Sequence, residues 1–465
     1  MSVPTADATA TEDDAEPAAG AVIPGRIPIA VVFAAVVMLY AIWAAFTGTG
    51  RFRAVRAGFG VDSAYDMRGA SAPVWSLRFL AAPDAAPFLF LLLAKVCLRN
   101  LRAIVLVESA IAVGCWLFLA RAVAERLRHP AVRTGAFVAL LLVALSPPVS
   151  MWNVFVATES LSLSLLVLAT GLFIRMTGGR SARRDYVGLV VVLALLACTR
   201  DSYSTVVLVV AVVAIVVGIV RRSVRARAAV LAGVCIVAAG LNIAGSNHSG
   251  RWFSPLDETV TVRLLGSHEA TRYLLDHGLP LSPQVRALHQ PYAQALTGDR
   301  VTFDPAFAAY RAWLNSKGRS TYASFLLTHP ASDISGPFAD RQRLLRPAIR
   351  GYAHTYYVDG GPVFRVIGSI GMPSSQGLVE IWIVAALLAA IALARRRRNR
   401  VLLVTVALST LLLVVHYLVD WHGDALELDR HAIAAAVQLR VVLWIVTALV
   451  VDEIATRRSV RAGGG

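Results

Sequence analysis

Two acids that follow the first apolar run are candidates for acid–base chemistry. Asp62 and Asp66 lie in the stretch Asp-Ser-Ala-Tyr-Asp. They are four residues apart, and so on one face if this stretch is helical. A carboxylate close to a membrane surface can act as general base on an acceptor hydroxyl. The alternative interpretation is that both residues are solvated acids of a loop.

Two further charged positions lie where later apolar runs begin. Glu159 follows Thr158 at the start of one run, and Arg200 precedes Asp201 at the start of another. Charge at the edge of a membrane is costly and tends to mark function, and an arginine fork suits a phosphate. The alternatives are a first-turn acid that suits the helix dipole with Thr158 as N-cap, and an Arg200–Asp201 turn in which the two charges neutralise each other.

The segment before the last apolar run is rich in groups that could bind a divalent metal. The spacing matches no metal signature, so the sequence favours a solvated acidic loop and requires no metal or other cofactor. Arg430 and His431 are of more interest because they lie at the mouth of the last run. The potential ligands are Asp420, His422, Asp424, Glu427, Asp429 and His431.

The composition sets the class of protein to which these residues belong. Of the 465 residues, 57% are hydrophobic and 16% are charged, and the mean hydropathy is +0.63. A soluble domain has about 25% charged residues, which this chain lacks. The composition therefore excludes a soluble enzyme, a disordered chain and a secreted disulfide scaffold. It indicates an all-α polytopic membrane protein.

We predict ten transmembrane helices, each from an apolar run long enough to cross most of the hydrocarbon layer. The run Pro87–Leu98 is too short to span and predicts an interfacial or re-entrant helix. The predicted spans cover about residues 28–47, 103–121, 134–150, 158–175, 186–199, 203–220, 227–245, 377–394, 400–418 and 433–451.

The distribution of arginine predicts the orientation in the cell membrane. Arginines cluster in alternate connections, which places those connections and both termini in the cytoplasm. The net charge of +16 is explained by this placement and does not indicate nucleic acid. The clustered residues are Arg121, Arg126, Arg128, Arg133, Arg175, Arg180, Arg183, Arg184, Arg221, Arg222, Arg225, Arg227, Arg395–Arg398, Arg400, Arg457, Arg458 and Arg461.

This orientation divides the chain into five parts. A disordered cytoplasmic tail is expected at 1–25 and a cytoplasmic tail at 452–465. The residues between form an N-terminal transmembrane catalytic module at 26–245, which includes an outer loop at 48–102, an extracytoplasmic helical region at 246–376, and C-terminal transmembrane helices at 377–451.

The order of several short motifs resembles the polytopic GT-C-type glycosyltransferases, the group of the protein O-mannosyltransferases and lipid A aminoarabinose transferases. Asp62 to Tyr65 is similar to the acidic first outer loop of that group, and Phe88 to Lys95 to its interfacial helix. Further similar pieces are Ser146-Pro147-Pro148 followed by Thr158-Glu159-Ser160-Leu161, Thr199-Arg200, and His329-Pro330. The chain departs from the group in lacking a paired Asp-Glu in the first loop and in having fewer spans.

The resemblance implies transfer of a sugar from a polyprenyl-phosphate donor, with inversion, to a cell-envelope glycan, lipid or protein. Asp62 would be the base, with Asp66 as competitor, and Lys95, Arg200 and Arg430 would hold the donor phosphate. Supporting roles would fall to Tyr65, Glu159, Asp201 and His431.

Two other function classes remain open. A transporter or flippase of envelope precursors would also be polytopic, but should carry broken or ionisable helices near the bilayer midplane. The charges lie mainly at the ends of the runs, which disfavours transport, although Glu108 lies inside the second run. The third class is a membrane scaffold without catalytic activity.

Overall fold

The protein is a bundle of α-helices, described here from a computed structural model. About 85% of the described residues are helical, and no strand occurs among them, which confirms the all-α prediction for that part of the chain. The predicted first span at 28–47 and the residues Asp62, Tyr65 and Asp66 lie outside that part. The structure describes residues 69–71, 73–74, 88–154, 156–177, 182–289, 301–345, 361–396, 399–423, 425 and 428–463.

The helices of the N-terminal half begin with a short one, α1, which packs against the first long one. Leu89 in α1 donates its backbone N–H to the carbonyl of Cys198 at 3.2 Å, which ties α1 to the end of α5. The helices are α1 (Phe88–Val96), α2 (Leu101–Ala124), α3 (Pro130–Leu145), α4 (Thr158–Met176), α5 (Ala182–Ala197), α6 (Asp201–Val220) and α7 (Arg225–Ser249).

The C-terminal half alternates short helices with long apolar ones. The short helices are α8 (Phe253–Glu258), α9 (His268–Asp276), α10 (Ala308–Trp313), α11 (Arg319–Thr328), α12 (Pro330–Ala339), α13 (Gln342–Leu345), α14 (Gly361–Gly371) and α17 (Leu428–His431). The long helices are α15 (Gln376–Arg395), α16 (Arg400–Gly423) and α18 (Ile433–Gly463).

Seven helical stretches in the described residues are long and apolar enough to cross a membrane. The predicted count of ten is therefore matched only in part, since α3 and α5 have 16 residues each. The predicted span at 134–150 is interrupted at Ser146, whose backbone is extended (φ −61°, ψ 143°) because the residue before a proline disfavours the helical region. The seven stretches are Leu101–Ala124, Thr158–Met176, Asp201–Val220, Arg222–Ser249, Val366–Arg395, Arg400–Gly423 and Ile433–Ser459.

Contacts between connections show that the long helices alternate in direction. At one face of the bundle, the backbone N–H groups of Arg128 and His129 donate to Asp452 at 2.7–3.1 Å. The side chain of Asn399 donates to the carbonyl of Arg126 at 2.8 Å. We call this end, which carries the clustered arginines, the arginine face. The N-terminal ends of α4 and α6 and the C-terminal end of α16 lie at the opposite face.

A helical unit between α7 and α12 has its own apolar core. Five tryptophan and tyrosine side chains pack into or against it, and the core does not require a membrane to be buried. Its buried residues are Leu256, Val260, Leu264, Ala270, Leu274, Leu279, Val285, Leu288, Val301, Phe307, Tyr310, Trp313, Leu314 and Phe325.

One acid is enclosed in this unit. Asp257 is 0% exposed, and the hydroxyl of Tyr310 donates to its Oδ1 at 2.9 Å. Its Oδ2 has no hydrogen-bond partner among the described residues. Burial raises the pKa of Asp257 to about 7, although the hydrogen bond from Tyr310 partly opposes this shift.

We therefore expect the unit to lose stability as pH rises from about 4 to about 7. The folded carboxyl holds its proton more tightly than the unfolded one (pKa about 3.9), so folding is favoured most at low pH within this window. The free energy of unfolding should fall by up to about 1.4 kcal/mol per pH unit. Melting temperatures of wild type and Asp257→Asn at pH 5 and pH 7 measure it, and equal pH dependence of the two proteins would contradict the assignment.

Candidate functional site

Three charged side chains from separate parts of the chain meet at the face opposite the arginine face. Nη1 of Arg200 lies 3.3 Å from Oε1 of Glu159, and Nε of Arg430 donates to the same oxygen. Glu159 is 1% exposed, and the side chains of Arg200 and Arg430 are 12% and 11% exposed. We call these three residues the Glu159 cluster. Sequence analysis singled out each of them, but not their contact.

Local structure at the helix ends explains why these side chains converge. Glu159 lies in the first turn of α4, after an extended residue at Ala157. The hydroxyl of Ser160 donates to Asn153 at 2.8 Å and secures the preceding loop. Arg200 is itself extended (φ −159°, ψ 155°) immediately before α6. The chain therefore reverses sharply between α5 and α6, and the Arg200 side chain reaches α4.

The cluster brings two cations to one buried carboxylate. Charges in such a poorly solvated place persist only when they are paired. Among the described residues, Glu159 is the one ion-pair partner of Arg200, whose guanidinium carries five N–H donors in a planar fork. Donor capacity on Arg200 therefore exceeds what Glu159 uses. A group with this geometry can bind a second anion, such as a phosphate.

A layer of buried polar residues lies beside the cluster, within the spans. Tyr203 of α6 packs on His416 of α16 with ring centroids 4.5 Å apart, and His416 Nε2 lies 3.5 Å from Asp420. Glu108 of α2 is 0% exposed and interacts electrostatically with Glu159. Neither carboxylate oxygen of Glu108 has a hydrogen-bond partner in the described part of the chain.

Sequence analysis missed two members of this layer. Tyr203 and His416 did not stand out, because aromatic residues are common in spans. The signal that could have revealed His416 is its spacing of four residues from Asp420, which places the two on one face of a helix. A histidine and an acid so placed inside an apolar run need polar partners, since both are costly there.

His431 lies next to Arg430 at the start of the last span and is partly exposed. Burial and then the positive charges of Arg200 and Arg430 hold the pKa of His431 well below its usual range. His431 is therefore neutral at physiological pH. It can exchange hydrogen bonds with a ligand but adds no charge to the cluster.

The neutralised turn considered for Arg200 and Asp201 is wrong. The Asp201 carboxylate accepts from Asn242 at 3.0 Å and Ser246 at 2.7 Å, and it pairs with Arg251 at 3.1 Å. Asp201 thus ties α6 to the end of α7, while Arg200 turns to Glu159. Thr158 is also not the N-cap of α4, since Ala157 holds that position and no side chain caps it.

Lys95 occupies the last turn of α1 and is partly buried. The two ion pairs that define the Glu159 cluster do not include it. The predicted bases Asp62 and Asp66, with Tyr65, lie outside the described residues. Their position relative to the cluster therefore stays a prediction.

The described side chains of the acidic segment before the last span do not meet in one group. Asp420 lies 3.5 Å from His416, His422 contacts Tyr322 at 3.2 Å, and Arg430 pairs with Glu159. These side chains are thus directed to separate partners. Asp424, Glu427 and the side chain of Asp429 lie outside the described part. No group of three His, Cys, Asp or Glu able to hold a metal occurs in the described residues.

Comparison with known proteins gives no relative. No family model, curated protein or solved structure matches the chain. The resemblance to GT-C-type enzymes therefore rests on the sequence motifs.

We expect Glu159→Gln to destabilise the protein strongly. It removes the carboxylate that Arg200 and Arg430 share, and breaking a buried charge pair costs about 3–5 kcal/mol. The control is Glu125→Gln, which removes a half-exposed partner of Arg121 and should cost less than about 1 kcal/mol. Thermal unfolding in detergent measures both variants.

A double variant tests the charge argument separately from packing. Glu159→Gln combined with Arg430→Gln removes one of the two neighbouring cations together with the carboxylate, so it should be more stable than Glu159→Gln alone. If Glu159→Gln and Glu125→Gln have the same melting temperature, the cluster does not stabilise the fold.

Proposed function

We propose that the protein is a membrane glycosyltransferase that moves a sugar from a polyprenyl-phosphate donor to an acceptor in the cell envelope. The observation that supports this most is the Glu159 cluster. Two arginines converge at the end of membrane-spanning helices, at the depth where the phosphate of a lipid-linked sugar would lie. An anionic leaving group is stabilised by preorganised cations of this kind.

The described residues support distinct roles around such a phosphate. Glu159 orients Arg200 and Arg430. Its negative charge offsets the repulsion between the two guanidinium groups while no ligand is bound. Arg200 has donors to offer a phosphate, and the neutral His431 can donate one further hydrogen bond without adding charge. Arg430 is the second candidate for contact with the phosphate.

The reaction needs a base, for which Asp62 is the first candidate and Asp66 the second. The base removes the proton of the acceptor hydroxyl, and the acceptor oxygen attacks the anomeric carbon of the donor. The bond from that carbon to the phosphate oxygen then breaks, and the lipid phosphate leaves toward the arginines with inversion at the sugar. Both acids are expected on the same side of the membrane as the cluster, since they follow the first predicted span.

A flippase or transporter of anionic envelope precursors is the second candidate. It is favoured by Arg440, which is 0% exposed in the interior of α18. It is also favoured by the interruption between α14 and α15 within the stretch Val366–Arg395. Broken helices and buried charges mark substrate paths in transporters. Sequence analysis missed Arg440 and treated this span as apolar.

Arg200→Gln should weaken binding of polyprenyl phosphate, the lipid product of the proposed reaction. Loss of a charge-assisted hydrogen bond costs about 1.5–3 kcal/mol, or roughly a 10- to 150-fold rise in Kd. Arg251→Gln is the control, because Arg251 lies at the same face but pairs with Asp201. Binding of undecaprenyl phosphate to the purified proteins in detergent measures it, and an unchanged Kd for Arg200→Gln would remove this assignment.

Asp62→Asn should abolish transfer and leave folding and lipid binding intact. The amide keeps the size of the side chain but cannot accept the proton, and general-base catalysis is commonly worth about 10²–10⁴-fold. A deletion strain that carries each variant is analysed by mass spectrometry of its envelope glycans and glycoproteins. An active Asp62→Asn with an inactive Asp66→Asn would assign the base to Asp66. Two active variants would favour the transport function instead.

A further inference from the structure

Helix α12 lies beside a membrane span and not beyond its end. The hydroxyl of Tyr417 in α16 donates to the carbonyl of Pro337 at 3.0 Å, and Trp421 Nε1 donates to Asp340 at 3.0 Å. The Trp421 ring also fits against Gly336, where an added Cβ would come within 2.5 Å of it. Tyr417 is six residues before the end of α16, which is about 9 Å along the helix axis.

The chain that follows α12 reaches the depth of a buried arginine. The Arg440 guanidinium donates to the carbonyls of Leu344, Leu345 and Pro373. Arg440 is seven residues into α18, which is about 10 Å from its first residue. The end of α13 and the break between α14 and α15 therefore lie level with the interior of a span. The carbonyl of Pro373, which lies in the break, is satisfied by this side chain, as a membrane interior requires.

The outward side of α12 is apolar. Ile334 is 69% exposed and Phe338 67% exposed, and their spacing of four places them on one face. Leu327, in the last turn of α11, is 83% exposed. Large apolar side chains exposed together on a helix that carries polar contacts on its other side indicate an interfacial helix.

This apolar side continues onto a membrane span. Nε of Arg341, directly after α12, pairs with Glu380 of α15 at 3.1 Å. On either side of Glu380, α15 exposes Leu378 at 63% and Ile381 at 68%. Both belong to a stretch apolar enough to cross the membrane. The surface of α12 and the lipid-facing surface of α15 are thus joined through one ion pair.

We propose that α12 lies in the lipid layer, with Ile334 and Phe338 among the acyl chains of the leaflet next to the Glu159 cluster. Its polar side is held by Tyr417 and Trp421 of α16. The segment predicted as one extracytoplasmic region at 246–376 then consists of two parts: a unit with its own core up to Thr328, and a membrane-bound part from Pro330. Because α16 also carries His416 and Asp420, α12 and the lipids around it lie close to the layer of buried polar residues.

The test is the depth of spin labels in the full-length protein. The four native cysteines are replaced, and Ile334→Cys and Phe338→Cys are labelled with a nitroxide in vesicles of phosphatidylethanolamine and phosphatidylglycerol. Ile381→Cys is the lipid-facing reference. Asp276→Cys, at an exposed charged position of α9, is the aqueous reference. Collision rates with oxygen, which partitions into lipid, and with a nickel chelate, which stays in water, are then compared.

Labels at 334 and 338 should resemble the label at 381, with oxygen collisions exceeding nickel collisions several-fold, while 276 shows the reverse. Nickel accessibility like that of 276 would overturn the proposal. Low accessibility to both reagents would also overturn it, because a second copy or another protein would then cover α12. Ala331→Cys, an exposed position of α12 one turn before Ile334, provides a third position should either variant fail to fold. The measurement needs no substrate, so its outcome is independent of the proposed transferase activity.

Discussion

An ionised carboxylate can be kept inside a helical membrane protein only if cations are brought to it. Glu159 imposes this constraint here, because it is 1% exposed and its Oε1 contacts both Arg200 and Arg430. The two arginines come from the turn before α6 and from the short helix before α18. The ends of three helices are thus fixed by one oxygen, and the geometry of the face follows from it.

The rest of this face is organised by pairings that keep other charges away from the cluster. Asp201 is held by Asn242, Ser246 and Arg251, so it does not compete with Glu159 for Arg200. His416 lies 3.5 Å from Asp420 one helical turn away. Arg200 therefore has Glu159 as its one ion-pair partner among the described residues, although its guanidinium carries more donors than Glu159 uses. These additional donors are the physical basis for expecting an anionic ligand.

Arg440 is a buried arginine whose hydrogen bonds go to the backbone. It binds backbone carbonyls and not a carboxylate, at the ends of α13 and in the break before α15. The carbonyl of Pro373, which lies in the break, thus has a hydrogen-bond partner within the protein. The same contact sets the depth of the segment after α12.

The sequence by itself determined the class of protein, most of the spans and the charged residues at their ends. Apolar runs and basic connections are local patterns, and a local pattern is enough to predict a helix in a membrane. It also marked Glu159, Arg200 and Arg430 one at a time. Only the tertiary structure decided that they meet, that Asp201 turns away, and that Arg440 closes a break. These contacts join residues 41 to 271 positions apart, and helix packing, which no local pattern encodes, brings them together.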